Sequence, residues 1–209
     1  MKGIAKQAII LSGILIILCG LAYPLTVTGI SQVIFNKQAN GGMITYNGRK
    51  VGSEFLGQNF TDDRFFHGRV SAYNYNTYTK EDITTDKNGK TAYNGVSSGS
   101  ANLAPSNPAL KERIEKDIDA FLSSHPEVTK AQIPADLLTS SGSGLDPDIS
   151  VEAAKIQAPL ISKTTNISSI ALEDIINRCT VNPSLGIFGQ KRVNVLKANL
   201  EIAKKLGIK

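Results

Sequence analysis

Cysteine and histidine are scarce in this chain, two of each in 209 residues. Cys19 falls in a long apolar stretch and Cys179 in a distant segment of helical pattern, so they cannot pair and no disulfide framework is available. Neither His67 nor His125 has a second ligand at metal spacing, which argues against structural zinc. Aromatic residues are only 6% of the chain, and none interleave with its C-terminal lysines as a base-stacking surface would require. The last absence is charge. Residues 7–36 contain no Asp, Glu, Lys or Arg.

That uncharged stretch has a physical meaning. About thirty helical residues extend ~45 Å, more than the ~30 Å of a hydrocarbon core. Its densest part, from Ala8 to Ala22, is apolar on every face, unlike an amphipathic soluble helix. Lys2, Lys6 and the amino terminus lie on the short leading side, which the positive-inside rule keeps in the cytoplasm. The expected organisation is a cytoplasmic N-terminus at 1–7, a transmembrane helix at 8–30 and an extracytoplasmic α+β domain at 31–209. Tyr23 is an interfacial anchor and Pro24 a tolerated kink. Ser12, Gly13, Cys19 and Gly20 are small enough to let a partner helix approach. A cleaved secretory signal is the alternative, because Gly20-Leu21-Ala22 offers small residues for a peptidase. Against it, apolar character continues through Leu25, Val27, Ile30, Val33, Ile34 and Phe35. A lipoprotein signal fails because Leu18 before Cys19 is too bulky.

About 170 residues remain outside the membrane, enough for one domain with its own core. The whole chain has 20% charged and 41% apolar residues, from which that part is expected to be globular and not disordered. The net charge of +5 gathers after Gly186, in Lys191, Arg192, Lys197, Lys204, Lys205 and Lys209 against Glu201, and reads as a solvated helix face, with contact to anionic lipid or an acidic partner as the alternative. Met43 to Val51 predicts a β-hairpin turning at Asn47-Gly48, with pairing continuing into Ser53-Glu54-Phe55-Leu56. Phe60, Phe65 and Phe66 add core mass. A long polar loop follows at about 71–106, of a length that is usually functional or partner-bound. Asn107-Pro108 caps a helix carrying Leu110, Ile114, Ile118, Phe121 and Leu122. A second helix starts after Ser150 and is kinked or ended by Pro159. A third spans 169–179 with Leu172, Ile175, Ile176 and Cys179 on one face. The last runs from Val193 to Leu206 with Val193, Leu196, Leu200 and Ala203 in register, although Val193-Asn194-Val195 alternates like a strand.

Three clusters are too specific to be filler. The first is Gly52-Ser53-Glu54-Phe55-Leu56-Gly57-Gln58-Asn59-Phe60, closing with Phe65-Phe66-His67-Gly68-Arg69-Val70-Ser71-Ala72. The second runs from Ser98 to Leu110 and contains Asn102-Leu103-Ala104-Pro105-Ser106-Asn107-Pro108. The third is Ile133-Pro134-Ala135-Asp136-Leu137-Leu138-Thr139-Ser140-Ser141-Gly142-Ser143-Gly144-Leu145-Asp146-Pro147-Asp148-Ile149-Ser150. Together with Arg192-Val193-Asn194-Val195-Leu196, they resemble the C subunits of bacterial Kdp potassium-transporting P-type ATPases over nearly the whole chain. Val70 and Ala104 depart from the family pattern, which usually has Pro and Gly there, and Pro159 interrupts a helix that is normally continuous.

The resemblance implies a non-catalytic subunit of a potassium pump that aids assembly and raises the ATPase's affinity for ATP. Its implied partners are a potassium-binding channel-like subunit, an ATP-hydrolysing P-type subunit and a small membrane peptide. No cofactor is tightly bound, and ATP is met only through the complex. By resemblance to an ABC signature loop, Ser140, Ser141, Gly142, Ser143 and Gly144 are the nucleotide candidates. Arg69, Asn102, Asn107 and Asp146 are candidate partner contacts, along with the small residues of the span. Physical chemistry reads the loop differently. It has no lysine, and the charge rule places it outside the cell, so Gly142 and Gly144 serve a tight turn. Asp146 and Ser150 then cap the next helix, with Pro147 in its first turn. Asp86 to Thr91 imitates a phosphorylated-aspartate motif, but Asn88 and Lys90 break it, and Asn88-Gly89 reads as a hairpin turn. The rival from another class is an anchored or secreted binding module or a serine hydrolase, for which His67 and His125 are the sole bases.

Overall fold

The computed structural model describes residues 2–86, 89–92 and 95–208. The chain divides between Ile44 and Thr45 into two compact units. The first is built on α1 (Lys2–Ile17), a π-helical turn (Leu18–Ala22) and α2 (Tyr23–Ile34), followed by the short α3 (Asn36–Ala39). From Gly3 to Ile34 these make one 32-residue helix, long and apolar enough to cross a membrane. The segment expected in the membrane, 8–30, falls inside it. At Pro24 the structure shows a widened turn, with Tyr23 N–H donating to Leu18 O five residues back. A proline ring crowds the carbonyl four residues before it, and a π turn relieves that crowding while keeping the helix continuous.

The boundary falls within β1 (Met43–Tyr46), which makes a hairpin with β2 (Arg49–Ser53). Asn47 and Gly48 take φ of +47° and +78° at its turn, the geometry that Asn-Gly tolerates best. The expected pairing into residues 54–56 does not occur. Ser53 Oγ instead accepts from Phe55 N–H at 3.0 Å and turns the chain. The polar loop contains a three-residue turn at Asn74–Asn76 and the short α4 (Lys80–Ile83). The expected turn at Asn88 lies outside the described residues, although Gly89 N–H donates to Asp86 O at 3.1 Å. Asn107 caps α5 (Pro108–Ser124), which ends at His125.

Sequence periodicity passes over what comes next: α6 (Ala135–Leu138) and the two-residue strand β3 (Asp148–Ile149). Ser150 then caps α7 (Val151–Thr165) through Ala153 N–H. Asp146 and Pro147 do not cap it, because β3 intervenes. Pro159 neither ends nor breaks α7. Its ring is on the exposed side, while Ala153, Ala154, Gln157 and Ile161 are buried on the other and hold the helix together. Next come α8 (Ser169–Cys179), β4 (Thr180–Val181), β5 (Arg192–Asn194) and α9 (Val195–Lys205).

The strands β3, β5 and β4 form an antiparallel sheet in that order, with Ile149 and Thr180 both registered on Val193. Its helices bury Phe66, Ile149, Ala153, Ile161, Leu172, Ile175, Ile176, Val193, Ala198 and Ile202 in one core. The face expected for α8 is the one buried. On α9 the buried face is carried by Val195, Leu196, Ala198, Asn199, Ile202 and Ala203, whereas Leu200 is only half-buried. The strand reading of Val193 shifts the helix start to Val195 and turns the face accordingly.

Candidate functional site

Two buried amides fix the segment that carries Arg69. Asn199 Oδ1 accepts from Phe66 N–H at 2.8 Å and its Nδ2 donates to Phe66 O at 2.9 Å. One residue on, Gln157 Oε1 accepts from His67 N–H at 2.8 Å and its Nε2 donates to His67 O at 3.3 Å. Side chains from α9 and α7 therefore replace a neighbouring strand for residues 66–67, satisfying backbone groups whose burial unpaired would be costly.

Held this way, Arg69 reaches the third cluster. Its Nη1 lies 3.0 Å from Asp146 Oδ2, with both side chains about three-quarters buried. The other Asp146 oxygen accepts from Asp148 N–H at 3.0 Å. Ser71 Oγ donates to Gly144 O at 2.6 Å and accepts from Tyr75 N–H at 2.9 Å. Tyr75 sits at the centre and donates its hydroxyl to Arg69 O at 2.7 Å. Burial, and then the nearby Asp146 charge, push its phenol up to about 12. Asn74, Tyr75 and Asn76 all have positive φ, +48°, +54° and +55°, so a left-handed turn carries the ring inward. Gly57 and Gly68 make room for it. A Cβ at Gly57 would overlap the ring and the Asp146 carbonyl, and one at Gly68 would lie 2.6 Å from the Tyr75 hydroxyl.

The Ser-Gly loop turns its polar groups on itself. Ser141 Oγ, in a residue 5% exposed, accepts from Gly144 N–H at 2.8 Å. Ser143 Oγ accepts from Leu145 N–H at 3.1 Å, and Ser143 O accepts from Gly99 N–H at 2.7 Å and from Ser98 Oγ at 3.0 Å. Leu145 O accepts from Gly57 N–H at 2.8 Å. Asp136 closes the cluster on itself, its carboxylate taking Ser150 N–H at 2.7 Å and Ser150 Oγ at 3.0 Å. The first, second and third motif clusters thus meet around one loop, whose Gly144 and Leu145 N–H groups are bonded within it.

The other candidates lie apart from this network in their bonding. Asn107 is spent on the α5 cap through Ala109 N–H. Asn102 accepts from Ser100 Oγ at 2.9 Å in a local turn. Ser140 is half-buried and Gly142 exposed. In the first unit Ser12, Cys19 and Gly20 are exposed and Gly13 partly so. Neither histidine bonds a serine of the loop among the described residues. The His67 ring is 3.3 Å from Asp62 O, while His125 stacks on Phe121 and bonds its carbonyl. No group of three His, Cys, Asp or Glu among the described residues is placed to hold a metal.

Sequence reasoning passed over Ser71, Tyr75, Asp136, Gln157 and Asn199. Gln157 and Asn199 carried a usable signal, since each is an amide on the apolar face of a helix. Tyr75 carried none.

The comparisons with known proteins bear on the whole chain. The family model for KdpC, described as K+-transporting ATPase, c chain, matches residues 5–204. The chain is 56% identical over 203 residues to the potassium-transporting ATPase KdpC subunit of Clostridioides difficile strain 630, covering 97% of this chain and 98% of the relative. Identity is 53% over 207 residues to the subunit of that name from Clostridium kluyveri, covering 99% and 96%. For that of Bacillus cereus strain Q1 it is 46% over 210 residues, covering 97% and 99%.

Proposed function

The chain belongs to the KdpC family of K+-transporting ATPase c chains, and from that premise we propose that it is a non-catalytic subunit supporting assembly of the pump. It is a component of a potassium-transporting ATPase complex with partner subunits, and its N-terminal apolar helix is a membrane anchor. The partners we infer are a potassium-binding channel-like subunit, an ATP-hydrolysing P-type subunit and a small membrane peptide. The orientation we propose has residues 1–7 in the cytoplasm and 31–209 outside, supported by Lys2 and Lys6 ahead of an uncharged span.

The observation that carries this reading is that the Ser-Gly loop is tied by hydrogen bonds into the rest of the domain. Phosphate cradles need backbone N–H groups aimed outward at the ligand. Here the Gly144 and Leu145 N–H groups are taken by Ser141 and Ser143, and the loop is tied to residues 57, 71, 98 and 99. The loop acts as a structural knot and subunit contact, and ATP dependence reaches it only through the complex.

The test replaces Ser140, Ser141 and Ser143 together with alanine in the intact complex. The expected result is a less stable subunit and a change of less than about threefold in the apparent KM for ATP, under the ~1.4 kcal/mol of a tenfold effect. A tenfold rise in KM with assembly intact would give the serines a nucleotide role and overturn this reading.

A further inference from the structure

Between β4 and β5 the chain makes a tight hairpin whose tip is apolar and exposed. Leu185 is 88% exposed, Ile187 78% and Phe188 66%. Single exposed apolar residues are common on any protein. Three within four consecutive positions, on a turn closed by its own backbone, are not.

The turn is rigid. Ile187 N–H donates to Ser184 O at 3.2 Å, while Ser184 and Phe188 exchange backbone bonds of 2.8 and 2.9 Å. Leu185 and Gly186 occupy its central positions at φ of +55° and +74°. Asparagine and glycine suit such a turn, and leucine is strained there. A strained leucine largely in water is a poor choice for folding and a useful one for contact.

The charge around the tip selects the contact. No acidic residue occurs from 179 to 200, whereas Lys191 and Arg192 follow the tip after Gly189 and Gln190. Arg192 is paired with Asp148 and Lys197 with Glu54, and Lys191 has no ion pair among the described residues. An apolar tip beside an unpaired lysine suits a bilayer interface, where the ring and aliphatic chains enter the acyl boundary and the ammonium stays with anionic headgroups. Three side chains are far too few for a free-standing protein interface of ~800 Å² per partner. They suffice for a domain already tied to the bilayer through a connection of eight residues between Ile34 and Met43, which makes lipid contact effectively intramolecular.

We propose that the Leu185–Phe188 tip is a second, peripheral membrane contact that seats the domain on an anionic lipid surface. It rests on the N-terminal helix being a membrane anchor, and not on which side the domain occupies. The chain has no tryptophan, so Phe188→Trp supplies a single reporter in the full-length protein, placed in phosphatidylcholine–phosphatidylglycerol vesicles. Ile170→Trp on α8, at a position 82% exposed, is the control.

The expected result is blue-shifted emission from the Phe188→Trp chain, quenched roughly twofold by lipids brominated on their acyl chains, with the control unquenched. Adding Leu185→Asp and Ile187→Asp should abolish the quenching while the circular dichroism stays unchanged. Lys191→Glu should weaken it in anionic vesicles and leave it unchanged in neutral ones. Water-exposed, unquenched emission in chains that float with the vesicles would overturn the proposal. So would shielding that appears only when partner subunits are added, which would make the tip a protein contact. Failure to float would instead overturn the anchor, and the tip contact with it.

Discussion

Gly144 adopts φ +66°, and a Cβ there would lie 2.6 Å from the Gly99 carbonyl oxygen. Gly142, two positions earlier, faces open space and has no positive φ. Their equal appearance in the motif therefore hides unequal demands. Gly144→Ala should destabilise the full-length protein by about 2–3 kcal/mol, combining left-handed strain with displacement of the Ser98–Gly99 segment. Gly142→Ala should cost less than about 0.5 kcal/mol, as expected of an exposed site without special geometry. Thermal melting of both variants checks this, and equal losses would mean that the knot around Gly144 is not what holds the loop. Other residues of the knot are similarly committed. Ser141 is a loop brace, Asp136 closes a fourteen-residue span onto Ser150, and Asn199 stands in for a missing strand.

Among the elements, the N-terminal helix is the one whose surface is least satisfied by its own chain. A Cβ added at Gly13 or Gly20 meets nothing within 4 Å, so the chain itself has room for larger side chains there. In lipid, close helix approach depends on such small positions. Replacing Gly13 and Gly20 together with leucine should lower recovery of the intact complex while the domain after Thr45 keeps its fold. Affinity purification followed by circular dichroism measures both. Undiminished recovery would reduce the helix to an anchor. Pro159 teaches a related lesson at the same scale. A helix survives an interior proline when the ring faces solvent and the opposite face is buried against a sheet and a neighbouring helix.

For the whole molecule the open physical question is the side of the membrane on which the larger unit folds. Two lysines before an uncharged span predict the N-terminus inside and that unit outside. Thr85 is exposed, so Thr85→Cys should react with a membrane-impermeant thiol reagent on intact cells, or on spheroplasts where an outer membrane blocks entry. The native thiols give little background, because Cys179 is buried and Cys19 lies within the span. Labelling only after lysis would invert the topology, and it would bring the Ser-Gly loop to the compartment that contains ATP.

Sequence alone determined whatever depends on local composition or neighbouring positions. The apolar helix was legible because thirty successive uncharged residues form a helix apolar on every face, long enough to cross a membrane. The Asn47-Gly48 hairpin, the Asn107 and Ser150 caps and the buried face of α8 followed from turn chemistry and helical period. The family was legible in the three motif clusters, since a match of residue types over nearly 200 positions needs no coordinates. Tertiary structure decided everything that joins distant residues. β3 and β4 have two residues each, too short for any period, and exist because β5 pairs with both. Tyr75 became the centre of the site only when a left-handed turn brought it against Gly57 and Gly68. The ties of the Ser-Gly loop to Gly57, Ser71 and Gly99 appear only in the folded chain. A string of serines and glycines leaves that open, because the same residues cradle an anion or brace a turn according to the backbone that surrounds them.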